Sequence, residues 1–275
     1  MQTEVLNDME KNIEEESSLF SKVFVASRDY KWISEEVLVV IVRVNKTNFS
    51  ENFSDIEVCG KSVLKWAMMA THGKEQIVIE EQPDEKILQA LKNLKTEKKY
   101  IFLQYSDTPY LEKSTFNQIL DYFSVKQFNF MGLPRGFVVK TDYLKNLFDL
   151  RAATQRNFGN KDFVQIKTSQ DLTEFYNFAR DRILNYHREN GVVLLGGNIC
   201  IDADVEIGSG VIIYENNFIK GQSYIGENVV LKENNLIIDS IIESGSKVIQ
   251  SYIEKSKVKE KSVVGPCAKI FKESV

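Results

Sequence analysis

The sequence predicts an α/β sheet domain followed by a parallel β-helix, and three observations carry that fold class. From Ile201 onward single aliphatic residues recur every six positions, at Ile201, Ile207, Ile213, Ile219, Ile225, Leu231 and Ile237. The beat then shortens by one in places, through Ile242, Val248, Ile253, Val258, Val264 and Ile270. Upstream, aliphatic runs alternate with amphipathic segments, and Asn190-Gly191 separates the two regimes. A fixed short period marks a solenoid, because one repeat cannot bury its own aliphatic face and must stack on its neighbours. Helices repeat their apolar positions at three and four, so a period of six excludes them. One inward aliphatic per six residues fits one flat side of a triangular coil, with three hexads to the turn.

The elements follow in order. Residues 1–33 are a charged extension, 34–168 the α/β domain, 169–191 a linker helix and 192–275 the β-helix. Val37-Leu-Val-Val-Ile-Val42 is unbroken aliphatic, as expected of a strand buried on both faces of a parallel sheet. Ser62 to Ala70 reads as a helix, and Gln76-Ile-Val-Ile79 as a second strand. Pro83 suits the opening of a further helix running to about Lys95. Tyr100-Ile-Phe-Leu103 is a third strand, followed by a helix from Ser114 to Phe123. Gly136-Phe-Val-Val139 and Phe163-Val-Gln-Ile166 read as strands, and Ser169 to Tyr186 as a long helix with Asp171 in its first turn. This alternation argues for a mainly parallel sheet.

Composition narrows the function. A formal net charge of -4 with Lys and Glu interspersed leaves no basic footprint, so nucleic acid is not an expected partner. Cys59, Cys200 and Cys267 are odd in number and lack zinc spacing, which suits free thiols in a reducing cytoplasm. No apolar run reaches membrane-spanning length, and the acidic start is no signal peptide. A soluble cytoplasmic protein is the expectation.

Ligands of open α/β sheets collect at the carboxyl ends of the strands. Asp107 stands at such an end, in Ser106-Asp-Thr-Pro109. It suits either a divalent cation held against phosphate oxygens or a cap for the helix that follows.

Together these parts resemble the GlmU family, the bifunctional bacterial enzymes that make UDP-N-acetylglucosamine. Arg180-Asp-Arg-Ile-Leu-Asn-Tyr-His-Arg-Glu-Asn-Gly191 resembles that family's linker helix, RRRINEKHMxNGV. Ile201-Asp-Ala-Asp-Val-Glu-Ile-Gly208 is similar to its first coil, and Val264-Gly-Pro-Cys-Ala268 to its VGPFA segment. Upstream the likeness rests on Val58-Cys-Gly-Lys-Ser-Val-Leu64 and Ser106-Asp-Thr-Pro-Tyr-Leu111, against VAGKPML and GDTPLL. The resemblance implies a Rossmann-like nucleotidyltransferase domain, a left-handed β-helix, a nucleotide or nucleotide-sugar ligand and a homotrimer.

The departures fall on the chemistry. The family's phosphate-cradling GxGTRM corresponds to Val42-Arg-Val-Asn-Lys-Thr47, which has no glycine. Arg43 and Lys46 are then the candidate phosphate contacts, with a solvated basic loop as the plainer reading. The sugar-binding ExNxG corresponds to Gly132-Leu-Pro-Arg-Gly136, and the insert that normally follows GDTP is missing. The family holds Mg²⁺ between the Asp of GDTP, here Asp107, and an Asn whose position is Lys167. A protonated lysine has no lone pair for a cation, so an Asp107–Lys167 ion pair or a lysine phosphate clamp replaces the metal, and Mg²⁺ binding is expected to be weak or lost. The first substrate-contacting Arg of the family's acetyltransferase site corresponds to Phe271, while His72 and His187 lack nucleophile partners. No acetyl transfer is expected. Three readings stand: a lapsed nucleotidyltransferase that binds a ligand or partner, an active divergent UDP-sugar nucleotidyltransferase using Mg²⁺, and a purely structural trimerising module.

Overall fold

The computed structural model describes residues 35–150, 158 and 161–271. The N-terminal extension and the tail from Lys272 lie outside the described residues. Two compact units are present. Among the described residues, one holds those up to Arg43 together with those from Met68 to Val164; the other holds Val44–Ala67 and those from Gln165 to Phe271.

The elements up to the linker helix are β1 (Val37–Arg43), a hairpin of β2 (Glu57–Val58) and β3 (Lys61–Ser62), α1 (Val63–Met69), β4 (Glu75–Glu80) and α2 (Asp84–Lys92). They continue with β5 (Tyr100–Tyr105), α3 (Lys113–Val125), β6 (Phe130–Leu133), β7 (Gly136–Lys140) and α4 (Ser169–Glu189). The first unit is built on a five-stranded sheet in the order β4-β1-β5-β7-β6. β1 lies between parallel β4 and β5 and is buried from Val37 to Val42, as its unbroken aliphatic run predicts. Helix α3 buries Phe116, Ile119, Leu120 and Phe123, and the Phe116 ring meets Phe102 of β5 edge-on at 4.9 Å. Helix α2 starts after Pro83 and buries Ile87, Leu88 and Leu91.

Two expectations need correction here. The sheet is mixed: β7 runs antiparallel to both β5 and β6. Only Pro134-Arg135 separates β6 from β7, too short for the crossover that parallel strands need. The residues Phe163–Ile166 form no strand. The stretch just before them serves α3 instead: the Asp162 carboxylate accepts the Glu112 N–H at 3.3 Å and the Thr115 hydroxyl at 3.1 Å.

In the second unit the hexad residues sort into three columns, each stacked in its own parallel sheet. Ile201, Ile219, Ile237, Ile253 and Ile270 share one column. Leu194, Ile213, Leu231, Val248 and Val264 share the next, and Ile207, Ile225, Ile242 and Val258 the third. Successive strands visit the three sheets in turn, which makes the parallel β-helix. Left-handed backbone at Asn216, Asn228 and Asn234 turns the corners, a conformation that asparagine tolerates better than most residues. At one corner Asn217 and Asn235 are buried and bonded to each other at 2.9 Å, and Asn235 also accepts the Ser251 N–H at 2.9 Å.

Helix α4 opens with a capping box. Thr168 Oγ1 accepts the Asp171 N–H at 3.2 Å, and the Asp171 carboxylate accepts the N–H groups of Thr168 and Lys167, both at 2.8 Å. Those backbone donors hold the Asp171 carboxyl below the usual range. The β2–β3 hairpin belongs to this second unit, although its sequence sits among the sheet elements. Its Cys59 carbonyl accepts the Ala203 N–H at 2.9 Å, Lys61 pairs with Asp204, and a Cβ on Gly60 would come 2.8 Å from Asp202. Burial pushes the Cys59 thiol up to about 12.

Candidate functional site

Strand β5 delivers Asp107 to the carboxyl end of the sheet. The Ser106 N–H still donates to Val42 of β1, at 2.9 Å, so the strand is held to its last residue before the turn. Thr108 closes that turn through its hydroxyl, 3.0 Å from the Tyr105 carbonyl. Asp107 is buried here, at 5% exposure. It does not cap α3, whose N-cap is Glu112.

The partner of Asp107 comes from the β6–β7 turn. Arg135 donates from Nε to one carboxylate oxygen at 3.2 Å and from Nη2 to the other at 3.0 Å. Its guanidinium lies 3.7 Å from the centre of the Tyr105 ring, and Nη2 is 3.9 Å from Glu81. A bidentate, charge-assisted pair is among the strongest hydrogen-bonded arrangements available to a carboxylate, and stacking on an aromatic face fixes the plane of the fork. Gly136 lets the turn sit this close: its φ is +113°, and a Cβ there would lie 2.1 Å from the Leu103 carbonyl oxygen. Burial raises the Glu81 carboxyl above its ordinary range, with Arg135 opposing and Asp107 adding to the shift. Burial likewise raises the Tyr105 phenol.

The residues singled out from sequence are placed as follows. Arg43 ends β1, in the same unit as Asp107, with Nη1 3.8 Å from Glu80 of the neighbouring strand. Lys46 is exposed on a loop that closes on itself: the Thr47 N–H donates to Ser50 at 2.8 Å and Phe53 N–H to Asn45 at 2.9 Å. No glycine takes part in that loop. Lys167 is exposed just before α4, in the second unit. His72 is exposed, whereas His187 is buried and its imidazole pKa is lowered by that burial.

Arg135 is the residue at this strand end that sequence reasoning missed. Its signal was the pair of runs Phe130–Leu133 and Gly136–Lys140 around Pro-Arg, which is a hairpin pattern. Pairing β7 antiparallel to β5, with Leu103 opposite Phe137, then puts the turn beside the end of β5.

No helix of the described residues is long and apolar enough to cross a membrane. No family model matches the chain. Among curated relatives it is similar to the bifunctional protein GlmU of Clostridium kluyveri, 36% identical over 110 residues, 40% of this chain and 24% of that protein. The likeness to GlmU of Clostridium botulinum is 33% over 134 residues, covering 46% and 30%. For GlmU of Streptococcus thermophilus it is 35% over 122 residues, covering 44% and 25%. The chain thus spans 24–30% of the length of these relatives. A crystal structure of Rv0371c from Mycobacterium tuberculosis H37Rv overlaps 51% of this chain at a TM-score of 0.40 and 11% identity, too distant to establish a shared fold.

Proposed function

We propose that this GlmU-like chain is a lapsed nucleotidyltransferase relative, a cytoplasmic homotrimer whose sheet domain binds a ligand or partner without turnover. One observation carries the reading: both oxygens of Asp107 are engaged by Arg135. Mg²⁺ demands close oxygen ligands in near-octahedral array. A carboxylate already forked by a guanidinium, with its neighbour Glu81 also 3.9 Å from that guanidinium, does not fit that demand. The residues present therefore do not suit the metal that the resemblance implies, and no catalytic step is derived through it. The glycine-free loop around Arg43 and Lys46 supports the same reading, since phosphate cradles rely on close backbone approach. Phosphoryl-type transfer depends almost wholly on positioning and electrostatics, so losing cradle and metal together removes most of the rate.

Retention of Asp107 at the strand end favours a second reading, an active divergent sugar-1-phosphate nucleotidyltransferase. Calorimetric titration of UTP and UDP-N-acetylglucosamine into the full chain, with and without Mg²⁺, separates the two. The lapsed site gives binding indifferent to Mg²⁺, or none. Mg²⁺-dependent binding that Asp107→Ala abolishes, accompanied by release of pyrophosphate from UTP when a sugar 1-phosphate is supplied as acceptor, would overturn it.

A further inference from the structure

The sheet of the first unit has a second concave site, at the end opposite Asp107. Tyr100 begins β5 and Asp107 stands two residues past its end, so the two lie about 20 Å apart along the strand direction. Here the antiparallel pairing sets Tyr100 opposite Lys140. The Lys99 carbonyl accepts the Thr141 N–H at 2.9 Å, and the Lys98 carbonyl accepts the Thr141 hydroxyl at 2.7 Å. Two segments some forty residues apart are thereby locked side by side, each carrying lysines. Lys98, Lys99, Lys140 and Lys145 line a groove of about 620 Å³, together with Tyr100 and Thr141.

We propose that this groove binds a small oligophosphate, a compact anion carrying two or more phosphate groups. The charge argues for it. The lining holds four lysines and one acid, Asp142, in a chain whose formal net charge is -4. Like charges on neighbouring strands repel, and such local conflict persists in natural proteins chiefly where function needs it. Neutralisation from outside is partial. Lys99 Nζ meets Glu36 at 2.6 Å, and Lys98 Nζ lies 2.8 Å from the Glu35 carbonyl and 3.8 Å from Glu75. Lys140 Nζ bonds only a neutral group among the described residues, the Asn129 amide oxygen at 3.0 Å.

Lysine binds phosphate as a point charge, without the planar fork that selects carboxylates. A single exposed contact contributes little, so useful affinity requires several at once, which means a multivalent anion. The volume suits a small molecule. The carboxylates of Glu36 and Glu75 beside the lysines oppose a long polyanion such as nucleic acid running past the groove. The site is independent of the strand-end reading, because no residue is shared between them.

The test is calorimetric titration of inorganic tripolyphosphate, without Mg²⁺, into the full chain. One-to-one binding is expected, weakened at least about tenfold in the Lys140→Gln/Lys145→Gln double variant. The Lys259→Gln/Lys261→Gln variant, which removes the same charge from the β-helix, should bind like the parent, and so should Asp107→Ala. Circular dichroism checks that each variant is folded. Absence of binding overturns the proposal. So does equal weakening by both lysine pairs, which would mean general attraction by charge alone. Loss in Asp107→Ala would move the site to the other end of the sheet and overturn it as well.

Discussion

The guanidinium of Arg135 makes hydrogen bonds of 3.2 and 3.0 Å to Asp107 and covers the Tyr105 ring at 3.7 Å. Asp107 is buried, so a partner must balance its charge, and removing one side of such a pair costs about 3–5 kcal/mol. Arg135 thus serves stability whatever else the site does. His187 belongs to the same scale but responds to pH. Its burial lowers the folded-state pKa below the ordinary 6.5. The unfolded chain therefore takes up the proton first as pH falls, and the stability linked to neutral His187 is full above about pH 6.5 and is lost below it. Asp162 and Asp202, both raised by burial, act in the opposite sense at lower pH. The expected outcome is a fall in thermal midpoint between about pH 7 and pH 5.5 that is smaller in His187→Asn. Equal slopes in the two proteins would refute the assignment to His187.

At the scale of elements, the β-helix rests on columns rather than on individual contacts. The Asn217–Asn235 corner shows how: each amide bonds backbone carbonyls and its stacked neighbour, Asn217 to Lys232 and Tyr214, both at 2.8 Å. Asn235→Ala strands the buried Ser251 N–H and the Asn217 side-chain oxygen. At about 1–3 kcal/mol per stranded group, we expect a loss on the order of 3 kcal/mol in urea unfolding. The adjacent Asn234→Gly is the matched control. Its left-handed φ of 65° suits glycine without strain, so stability should change by less than about 0.5 kcal/mol. A small effect of Asn235→Ala would mean that the corner is held by its backbone alone. The periodic aliphatics of this region were legible in advance, because six-residue spacing has few structural solutions. The asparagine corner was not, since side-chain amides carry no period of their own.

For the whole molecule, the outward faces of the solenoid retain apolar side chains. Val193, Phe218, Tyr224, Ile241 and Val263 are 38–68% exposed. They are spread over all three sheets, Val193 and Val263 at the two ends of one, Phe218 on a second, and Tyr224 directly beside Ile241 on the third, so the expected trimer rests on the GlmU likeness rather than on one apolar face. We expect light scattering on the full chain to report a trimer, and a monomer across the micromolar range would remove that part of the proposal. The sequence by itself determined the solenoid, the buried strand β1, the long helix α4 with Asp171 in its first turn, and the strand-end position of Asp107. Each is a local pattern whose period or adjacency is written along the chain. Tertiary structure alone decided that Arg135 occupies Asp107, that the Cys59 hairpin packs with the β-helix unit, and that lysines forty residues apart share a groove. Those outcomes depend on strand order and on the direction of β7, which follow from how sheet and helices jointly bury their apolar faces rather than from any local run.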